Sequence, residues 1–420
     1  MSRVKCFGIL MVWFGVIPAG AAEAVRHDWP QWQGPARDNI SRETGLLASW
    51  PAGGPPRMWL YDQAGNGYSG PAIVEGNLYV MGTRHDREVV LALDARTGQE
   101  RWATPIDAVY RNNWGDGPRA TPTVDEDRVY VLSGQGTLAC LNRNNGQILW
   151  SRTMESLGGR RPGWGYCESV LIDGPYVVCT PGGRRGTIAC LDKKTGEPVW
   201  QSHEIQDGAQ YASIRILEAF GQKQYVQLTM EHLFGVRASD GKLLWQVEFP
   251  GRTAVIPTPV VHPQQPAVFV TAGYGAGCKM VTLSQPDSAT VVYDNKNMKN
   301  HHGGVVLVGD YLYGYSDNVG WVCMEFATGE LVWNEKRALG KGSLTCADGK
   351  LYCLSEDRGE VVLVDASPEG WHEHGRFQLA PQSNIRSRQG RIWTHPVVAD
   401  GKLYLRDQEY IYCYDIRSGQ

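Results

Sequence analysis

The chain has 420 residues, and its 41 Lys and Arg against 44 Asp and Glu give a formal net charge of −3. This near balance says little about partners, but the sequence has no long basic run, and we expect no nucleic-acid partner. Fifty glycines and fifteen tryptophans, in a chain with few helical patterns, favour an all-β protein rich in turns.

The first two dozen residues differ from the rest of the chain. A positive start precedes an apolar run, Cys6–Gly20, that is too short to span a bilayer comfortably. Small residues follow, which suits cleavage by signal peptidase after Ala22 or Ala24. Residues 1–24 are therefore predicted to be an export signal, and the protein to be periplasmic or secreted with no stable membrane span after cleavage. An uncleaved anchor is the alternative.

Residues 25–55 form a leader segment without a repeat, and a short aromatic strand then recurs eight times. Equivalent positions are 39 to 52 residues apart. The copies are Glu75–Val80, Glu126–Val131, Asp173–Val178, Gly221–Val226, Gln265–Val270, Gly309–Gly314, Asp348–Cys353 and Asp400–Leu405. A strand pattern with a period in the mid-forties predicts blades arranged around a ring.

Most copies are followed by a turn and a tryptophan, and Asp94–Trp102 is the clearest example. The Asp can accept a hydrogen bond from the backbone two residues on, and the Gly of the turn can adopt a positive φ. The tryptophan begins the outermost strand, where its ring should cover the apolar edge of the neighbouring blade. The predicted structural tryptophans are Trp59, Trp102, Trp150, Trp200, Trp245 and Trp333.

These patterns predict one all-β domain over residues 56–420, an eight-bladed β-propeller of four-stranded antiparallel blades. The last copy of the turn, Tyr414–Gln420, has no tryptophan after it, and Pro56–Asp62 supplies the missing strand with Trp59. We expect this N-terminal strand to complete the C-terminal blade and close the ring. Blades five and seven have degenerate turns, so seven blades with an irregular insertion is the alternative.

Cysteines do not suggest a disulfide framework. Nine follow the predicted signal, and several occupy the same repeat position in different blades, so these cannot all pair with one another. We expect small apolar core residues instead. The sequence has no CxxC and no adjacent cysteine pair.

The repeat resembles the pyrroloquinoline quinone (PQQ) type of propeller repeat. Its signature is a small residue, any residue, Asp, two residues, Thr-Gly, and Trp four residues later, and Ala92–Trp102 and Cys190–Trp200 carry it. The resemblance implies a propeller like those of quinoprotein dehydrogenases, of the BamB-type assembly factor of the outer membrane, and of uncharacterised exported proteins. Trp29–Ser41 and Gly115–Val124 resemble the last group, which is abundant in planctomycete-like bacteria.

A quinone enzyme would need to stack PQQ, neutralise its charge and hold it beside calcium or a lanthanide through oxygen ligands. Many dehydrogenases of the family carry a vicinal disulfide above the quinone, and this sequence has no adjacent cysteines. A Glu, Asn and Asp trio does not fall on the ligand positions of the family, and no CxxCH haem motif occurs. We therefore assign no catalytic residue, no metal ligand and no cofactor. A PQQ-dependent alcohol or sugar dehydrogenase with calcium is the alternative function.

Function is expected at one mouth of the central channel, where loops leading into the first strand of each blade meet. These loops are rich in basic and aromatic residues, which would attract anions and offer stacking surfaces. The predicted ligand-binding residues are Arg119, Trp164, Tyr166, Glu168, His301, His302, Lys341, Trp393 and His395. We expect a monomeric, non-catalytic scaffold that binds exported or envelope proteins, or an anionic or planar small ligand.

Several of these residues have a second interpretation. Adjacent histidines on a strand point to opposite faces, so we expect one of His301 and His302 to face the channel and the other the blade. Glu168 could act as an acid or metal ligand, but a salt bridge to Arg160 or Arg161 is favoured. Trp164 and the nearby Tyr166 could stack a ligand or pack their own loop.

Overall fold

The computed structural model describes residues 26–419, so the predicted export signal lies outside the described residues. In this part the chain forms 33 strands and one 3-10 helix, Glu155–Leu157. The first seventeen strands are β1 Ile40–Ser41, β2 Arg57–Tyr61, β3 Ala72–Val74, β4 Asn77–Arg84, β5 Arg87–Asp94, β6 Glu100–Ala108, β7 Thr123–Asp125, β8 Arg128–Leu132, β9 Thr137–Asn142, β10 Ile148–Thr153, β11 Leu171–Asp173, β12 Tyr176–Cys179, β13 Ala189–Asp192, β14 Pro198–Gln201, β15 Arg215–Ala219, β16 Gln222–Leu228 and β17 His232–Arg237. The remaining strands are β18 Leu243–Glu248, β19 Val260–Val261, β20 Ala267–Ala272, β21 Gly277–Gln285, β22 Ser288–Asn295, β23 Val305–Val308, β24 Tyr311–Ser316, β25 Gly320–Glu325, β26 Leu331–Glu335, β27 Gly342–Ala347, β28 Lys350–Ser355, β29 Glu360–Asp365, β30 Glu373–Gln378, β31 Val397–Ala399, β32 Lys402–Asp407 and β33 Tyr410–Asp415.

The strands form eight sheets, which are the blades of the predicted propeller. Blade one is β3–β6, blade two β7–β10, blade three β11–β14, blade four β15–β18, blade five β19–β22, blade six β23–β26 and blade seven β27–β30. Each has four antiparallel strands, with the shortest usually next to the central channel. The degenerate turns of blades five and seven do not remove a strand, so the eight-bladed prediction is confirmed. No helix of the described chain is long and apolar enough to cross a membrane.

Blade eight is completed from the N-terminal side, as predicted. Strand β2 pairs antiparallel with β33, with Trp59 opposite Cys413 and Leu60 opposite Tyr412, and β31 and β32 supply the inner strands. The ring therefore closes through main-chain hydrogen bonds, and opening it would expose two unpaired strand edges.

The apolar core is divided into eight clusters, and each lies between two neighbouring blades. The cluster between blade eight and blade one, for example, contains Trp59, Leu78, Leu91 and Cys413. An isolated blade would leave both of its apolar faces open, so every blade depends on both neighbours for burial. All nine cysteines of the described chain are buried and unpaired, which confirms their expected role as small core residues.

The repeated tryptophan and the repeated glycine meet across the joint between blades. The Trp102 ring of blade one lies against Gly146 in the turn of blade two, where a Cβ atom would be only 2.6 Å from the ring. The indole Nε1 of Trp102 donates to the carbonyl oxygen of Arg143 in the same turn, at 3.1 Å. The rings of Trp59, Trp150 and Trp200 lie against Gly98, Gly196 and Gly241 in the same way. The indoles of Trp59 and Trp150 also donate to a backbone carbonyl of that turn, whereas the Trp200 indole does not.

Two joints vary this arrangement. Tyr293, which replaces the tryptophan of blade five, packs on Gly329 and donates its hydroxyl to the Phe326 carbonyl oxygen at 2.9 Å. The Trp245 indole instead donates to Gln224 Oε1 of its own blade, at 2.7 Å. An aromatic ring with a hydrogen-bond donor at its far end is therefore what most joints require.

The leader segment crosses the central channel. Trp29 forms an isolated bridge to Ile73 in the first strand of blade one, and β1 adds in parallel to β27 of blade seven. The backbone nitrogen of Leu47 then donates to the Ile416 carbonyl oxygen at 2.8 Å, beyond the last strand of blade eight. The segment is thus an integral part of the ring and fills the middle of its channel.

Arg37 fixes the leader where it passes blades three and four. This side chain is only 3 % exposed. Its guanidinium donates to the carbonyl oxygens of Ser169, Val170 and Ile214 at 2.7, 2.6 and 2.7 Å, and to Gln31 Oε1 at 2.9 Å. The three carbonyls belong to residues just before the first strands of two blades, so one cation joins both blades to the leader.

We predict that Gly146→Ala destabilises the protein more than Gly221→Ala. Both glycines have φ of +72°, so each alanine carries a left-handed strain of about 1–2 kcal/mol. Only the Cβ at residue 146 would also meet the Trp102 ring, which adds about 1–3 kcal/mol. Urea unfolding of both variants measures the difference, and equal losses would show that the joint tolerates a methyl group.

Replacing Arg37 with Met should lower the free energy of unfolding by about 3 kcal/mol or more, because three buried carbonyls lose their donor. Arg42→Met is the matched control, since its side chain is 60 % exposed and pairs only with Asp38. The control should change stability by less than about 1 kcal/mol. Similar thermal unfolding of the two variants would contradict the anchoring role of Arg37.

Candidate functional site

A blind cavity of about 230 Å³ lies at the mouth of the channel, within the loops that precede the first strands. We call it the upper cavity. Ten of its 23 lining residues carry aromatic or histidine rings, and they are Trp32, Tyr68, Trp114, Trp164, Tyr211, Tyr274, His301, His302, Trp393 and His395. Six predicted ligand-binding residues are brought together here: Arg119, Trp164, His301, His302, Trp393 and His395.

The leader supplies the floor of the upper cavity. The Trp32 indole donates to Thr258 Oγ1 at 3.0 Å, and its ring lies 4.7 Å from that of His395. Gln33 lies beside it, 4 % exposed, with φ of 61°. A second cavity lies on the other side of the leader, lined by residues 36–44 and the first strands of blades four to seven. The leader therefore divides the channel into two compartments.

Stacked and tilted ring pairs make the walls rigid. Trp164 stacks on Tyr211 with centroids 5.5 Å apart and an interplanar angle of 26°. On the opposite side Tyr68 packs against Trp393 at 5.1 Å. Trp164 thus combines both interpretations of the sequence, because it packs on its neighbour and also presents its ring to the cavity.

Arg119 is the cation of the upper cavity. Its guanidinium lies 4.8 Å from the ring centroid of Tyr110 and 5.7 Å from that of Tyr68. The guanidinium donates to the carbonyl oxygens of Gly115 and Gly117. No carboxylate of the described residues lies within 4 Å of it, so its positive charge is not neutralised by an ion pair.

His301 and His302 both face the upper cavity, so the expectation that one would face the blade was wrong. They lie in a bend before β23 rather than in a strand, and the alternation of a strand does not apply. Lys341 does not line the cavity, but its Nζ contacts His301 Nδ1 at 2.7 Å. Burial, with the charges of His302 and Lys341, lowers the pKa of His301 to about 3.

A carboxylate lies behind the histidines. Glu356 accepts hydrogen bonds from His302 Nε2 and from Trp393 Nε1, the latter at 2.9 Å. Burial alone would raise the pKa of Glu356, but His302, Lys341 and the Trp393 indole together lower it to about 2. His395 Nε2 contacts the His302 carbonyl oxygen at 2.8 Å, and burial lowers the pKa of His395 to about 4.

Besides Lys341, two predicted ligand-binding residues, Glu168 and Tyr166, lie outside the upper cavity. Glu168 is 2 % exposed and accepts hydrogen bonds from the backbone nitrogen and hydroxyl of Thr180, at 2.6 and 2.9 Å. The favoured salt bridge from Glu168 to Arg160 or Arg161 is therefore wrong. Burial raises the pKa of Glu168 to about 7, although Thr180 and Arg37 act against the shift. The Tyr166 hydroxyl donates to a backbone carbonyl within blade three.

The positive charge of the mouth is smaller than the sequence suggests. Four basic residues of the mouth form ion pairs, which are Arg111–Asp116, Lys341–Asp317, Arg386–Asp407 and Arg391–Asp357. Asp116 belongs to the same loop as Arg111, and the other three partners lie at turns between strands of blades six to eight. A count of basic residues alone therefore overestimates the net charge of the mouth. Arg119 is the unpaired one that lines the upper cavity.

The ion site that PQQ would require is not formed by these residues. Glu168 is directed toward Thr180 and Gln227 within blades three and four, away from the upper cavity. Over residues 26–419, the group of metal-ligating side chains that does come together is Asp207, Glu231 and His232, which lies outside the cavity. We derive no reaction step through a quinone.

Sequence reasoning missed Trp32 and Tyr274. Trp32 belongs to the leader, which has no repeat and hence no assigned blade. Tyr274 lies between the second and third strands of blade five, whereas only the loops before the first strands were considered. Tyr68, Trp114 and Tyr211 are in those loops, and their aromatic character was the available signal.

Comparison with known proteins agrees with this architecture. Residues 86–335 match the family described as outer membrane protein assembly factor BamB. BamB from Moraxella catarrhalis is 14 % identical with a TM-score of 0.61, over 87 % of this chain and 98 % of that chain. A europium-containing methanol dehydrogenase is 12 % identical with a TM-score of 0.63, over 90 % and 89 %. At such identities the likeness shows the fold alone.

One curated relative shares only part of its length. The serine/threonine-protein kinase AfsK of Streptomyces griseus is 35 % identical over an alignment of 112 residues, and the match covers 25 % of this chain. The match spans 13 % of the length of that protein.

Glu168 should make stability depend on pH. Its folded-state pKa of about 7 exceeds the ordinary value, so its stabilising contribution is complete below about pH 4.5 and is lost as pH rises through 7. Glu168→Gln should remove about 2–3 kcal/mol of the stability difference between pH 5 and pH 8. Exposed Glu155→Gln is the control. An identical pH dependence in wild type and Glu168→Gln would contradict the prediction.

Proposed function

Since the chain belongs to the family of outer membrane protein assembly factor BamB, we propose that it is an exported, non-catalytic binding scaffold. Its upper cavity would hold a planar or aromatic group that carries a negative charge. The observation that carries this proposal is an unpaired cation above the leader: Trp32 lies across the channel between Thr258 and the His395 ring, and Arg119 lines the same cavity.

A closed floor favours binding over passage. The leader makes the mouth of the channel a pocket with one opening, in which a ligand group can be enclosed by rings on several sides. Flat aromatic surfaces suit a planar partner, because offset or edge-to-face ring contacts add to the burial of apolar area. The free guanidinium of Arg119 suits a carboxylate or a comparable anion.

The polar groups of the cavity support a non-catalytic role. His301 has both ring nitrogens in contact with partners, Tyr274 Oη at 2.8 Å and Lys341 Nζ. His302 is bonded to Glu356. Burial raises the pKa of the Cys167 thiol to about 12, so it is protonated and poorly nucleophilic at neutral pH. His301 therefore has no free ring nitrogen and Cys167 is protonated, so neither is placed to attack a substrate, while His302 keeps an unpartnered Nδ1.

Export and envelope partners are part of the proposal. They are supported by the predicted signal in residues 1–24, and the description of the family as an outer membrane assembly factor agrees with an envelope location. Other exported proteins are therefore the partners we propose.

We predict that the purified protein binds indole-3-acetate, an aromatic ring with one carboxylate, and that Arg119→Ala weakens the binding about tenfold or more. Isothermal titration calorimetry measures the affinity. Arg111→Ala is the matched control from the same loop, because Arg111 is exposed and paired with Asp116. Equal affinities in wild type and Arg119→Ala would count against the pocket.

A second assay separates binding from catalysis. The protein is incubated with PQQ and calcium and tested for dye-linked oxidation of alcohols. We expect no turnover, and turnover above a protein-free control would replace the proposal with a quinone-dependent enzyme.

A further inference from the structure

Four arginines lie together on the rim of blade three. We call Arg160, Arg161, Arg184 and Arg185 the arginine rim; all four are exposed. The first two belong to the loop before the first strand of the blade, and the other two to the loop between its second and third strands. The loops touch, because a Cβ at Gly183 would lie 2.8 Å from the Gly158 carbonyl oxygen and 3.9 Å from the Arg160 nitrogen.

The arginine rim carries charge that the described chain does not neutralise. None of its members has a carboxylate of residues 26–419 within 4 Å, whereas Arg111, Lys341, Arg386 and Arg391 of the same mouth are each paired. Arg185 is partly structural, since it packs on Gly158 and donates to the Ser156 carbonyl oxygen at 3.0 Å. A group of unpaired guanidinium ions on a chain with a net charge of −3 is a local excess, and it complements an acidic partner.

The arginine rim is continuous with the upper cavity. Gly163 and Trp164, in the loop that carries two of the arginines, line the cavity. Across the opening Trp114 is 54 % exposed, and its backbone is held by Asn112 and by the Tyr68 hydroxyl. Rigid, exposed tryptophan beside arginine is the composition that dominates binding energy at protein interfaces.

We propose that the arginine rim and the upper cavity form one docking surface for an acidic segment of a partner protein. Carboxylates of the segment would pair with the guanidinium groups, and an adjacent aromatic side chain would enter the cavity. The cavity volume of about 230 Å³ is below the ~300–1,000 Å³ of pockets for drug-sized ligands, which suits one side chain. This inference rests on the proposed function and names the class of partner.

The test uses a fluorescein-labelled peptide of four glutamates, a glycine and a tryptophan. Two matched peptides replace the glutamates by glutamines, or the tryptophan by alanine. Fluorescence anisotropy measures binding to the exported form of the chain, in low and in physiological salt. We expect the glutamate-tryptophan peptide to bind best, and its affinity to fall with salt, because exposed charge pairs are screened.

The decisive variant is Arg160→Gln with Arg161→Gln and Arg184→Gln. It should weaken the glutamate peptide about tenfold and leave the glutamine peptide unchanged. The control removes the same charge on the opposite side of the ring, through Arg96→Gln, Lys194→Gln and Lys242→Gln, which are exposed turn residues. This control variant should have little effect on affinity. An equal loss of affinity in both variants would show that only the net charge matters and would overturn the proposal.

Other outcomes are equally clear. Binding of indole-3-acetate without binding of any glutamate peptide would overturn the docking surface and leave the proposed function intact. Binding of neither probe would overturn both. Stronger capture of polygalacturonate than of the glutamate peptide, lost in the same triple variant, would assign the rim to an anionic polysaccharide and refute a protein partner.

Discussion

The contact between Arg37 and three backbone carbonyls is the interaction on which the rest of the site depends. A buried guanidinium without partners would be strongly destabilising, and in an open channel the carbonyls of Ser169, Val170 and Ile214 would need water. The guanidinium of Arg37 therefore supplies donors to the carbonyls, and the carbonyls supply acceptors to the guanidinium. Because Arg37 is fixed, the leader crosses the channel at a defined position along its axis. Trp32 then lies beneath the mouth loops, and the space above it is a pocket.

Most of the fold could be predicted because it depends on local patterns that recur. The turn requires a glycine with positive φ, and the joint between blades requires an aromatic ring. Gly146 therefore marks the hairpin of blade two, and Trp102 marks the contact of blade one with that hairpin. Tyr293 shows that the physical requirement is wider than the motif. The phenol hydroxyl of Tyr293 donates to the equivalent backbone carbonyl of the next blade, so the missing tryptophan did not indicate a missing blade.

The site could be predicted only in part, because its geometry depends on residues far apart in sequence. The loops before the first strands pointed to Arg119 and Trp164, and both side chains line the upper cavity. Glu168 is one residue before Ser169 in the same loop, yet it turns into the blade to meet Thr180. The leader has no period that could assign it to a blade. Its placement follows from hydrogen bonds to residues more than 130 positions away.

Residues of the leader contribute both to the stability of the ring and to the wall of the upper cavity, whereas the repeated residues contribute to stability alone. Residues at the blade joints do not touch the upper cavity, so a joint can weaken without altering the pocket. Trp32 and Arg37 are five residues apart in one segment, and one forms the floor while the other anchors the blades. A change in the leader must therefore affect both properties. A ligand that packs on Trp32 would in turn stabilise the bound position of the leader in the channel. Through Arg37 it would also stabilise the contact between blades three and four.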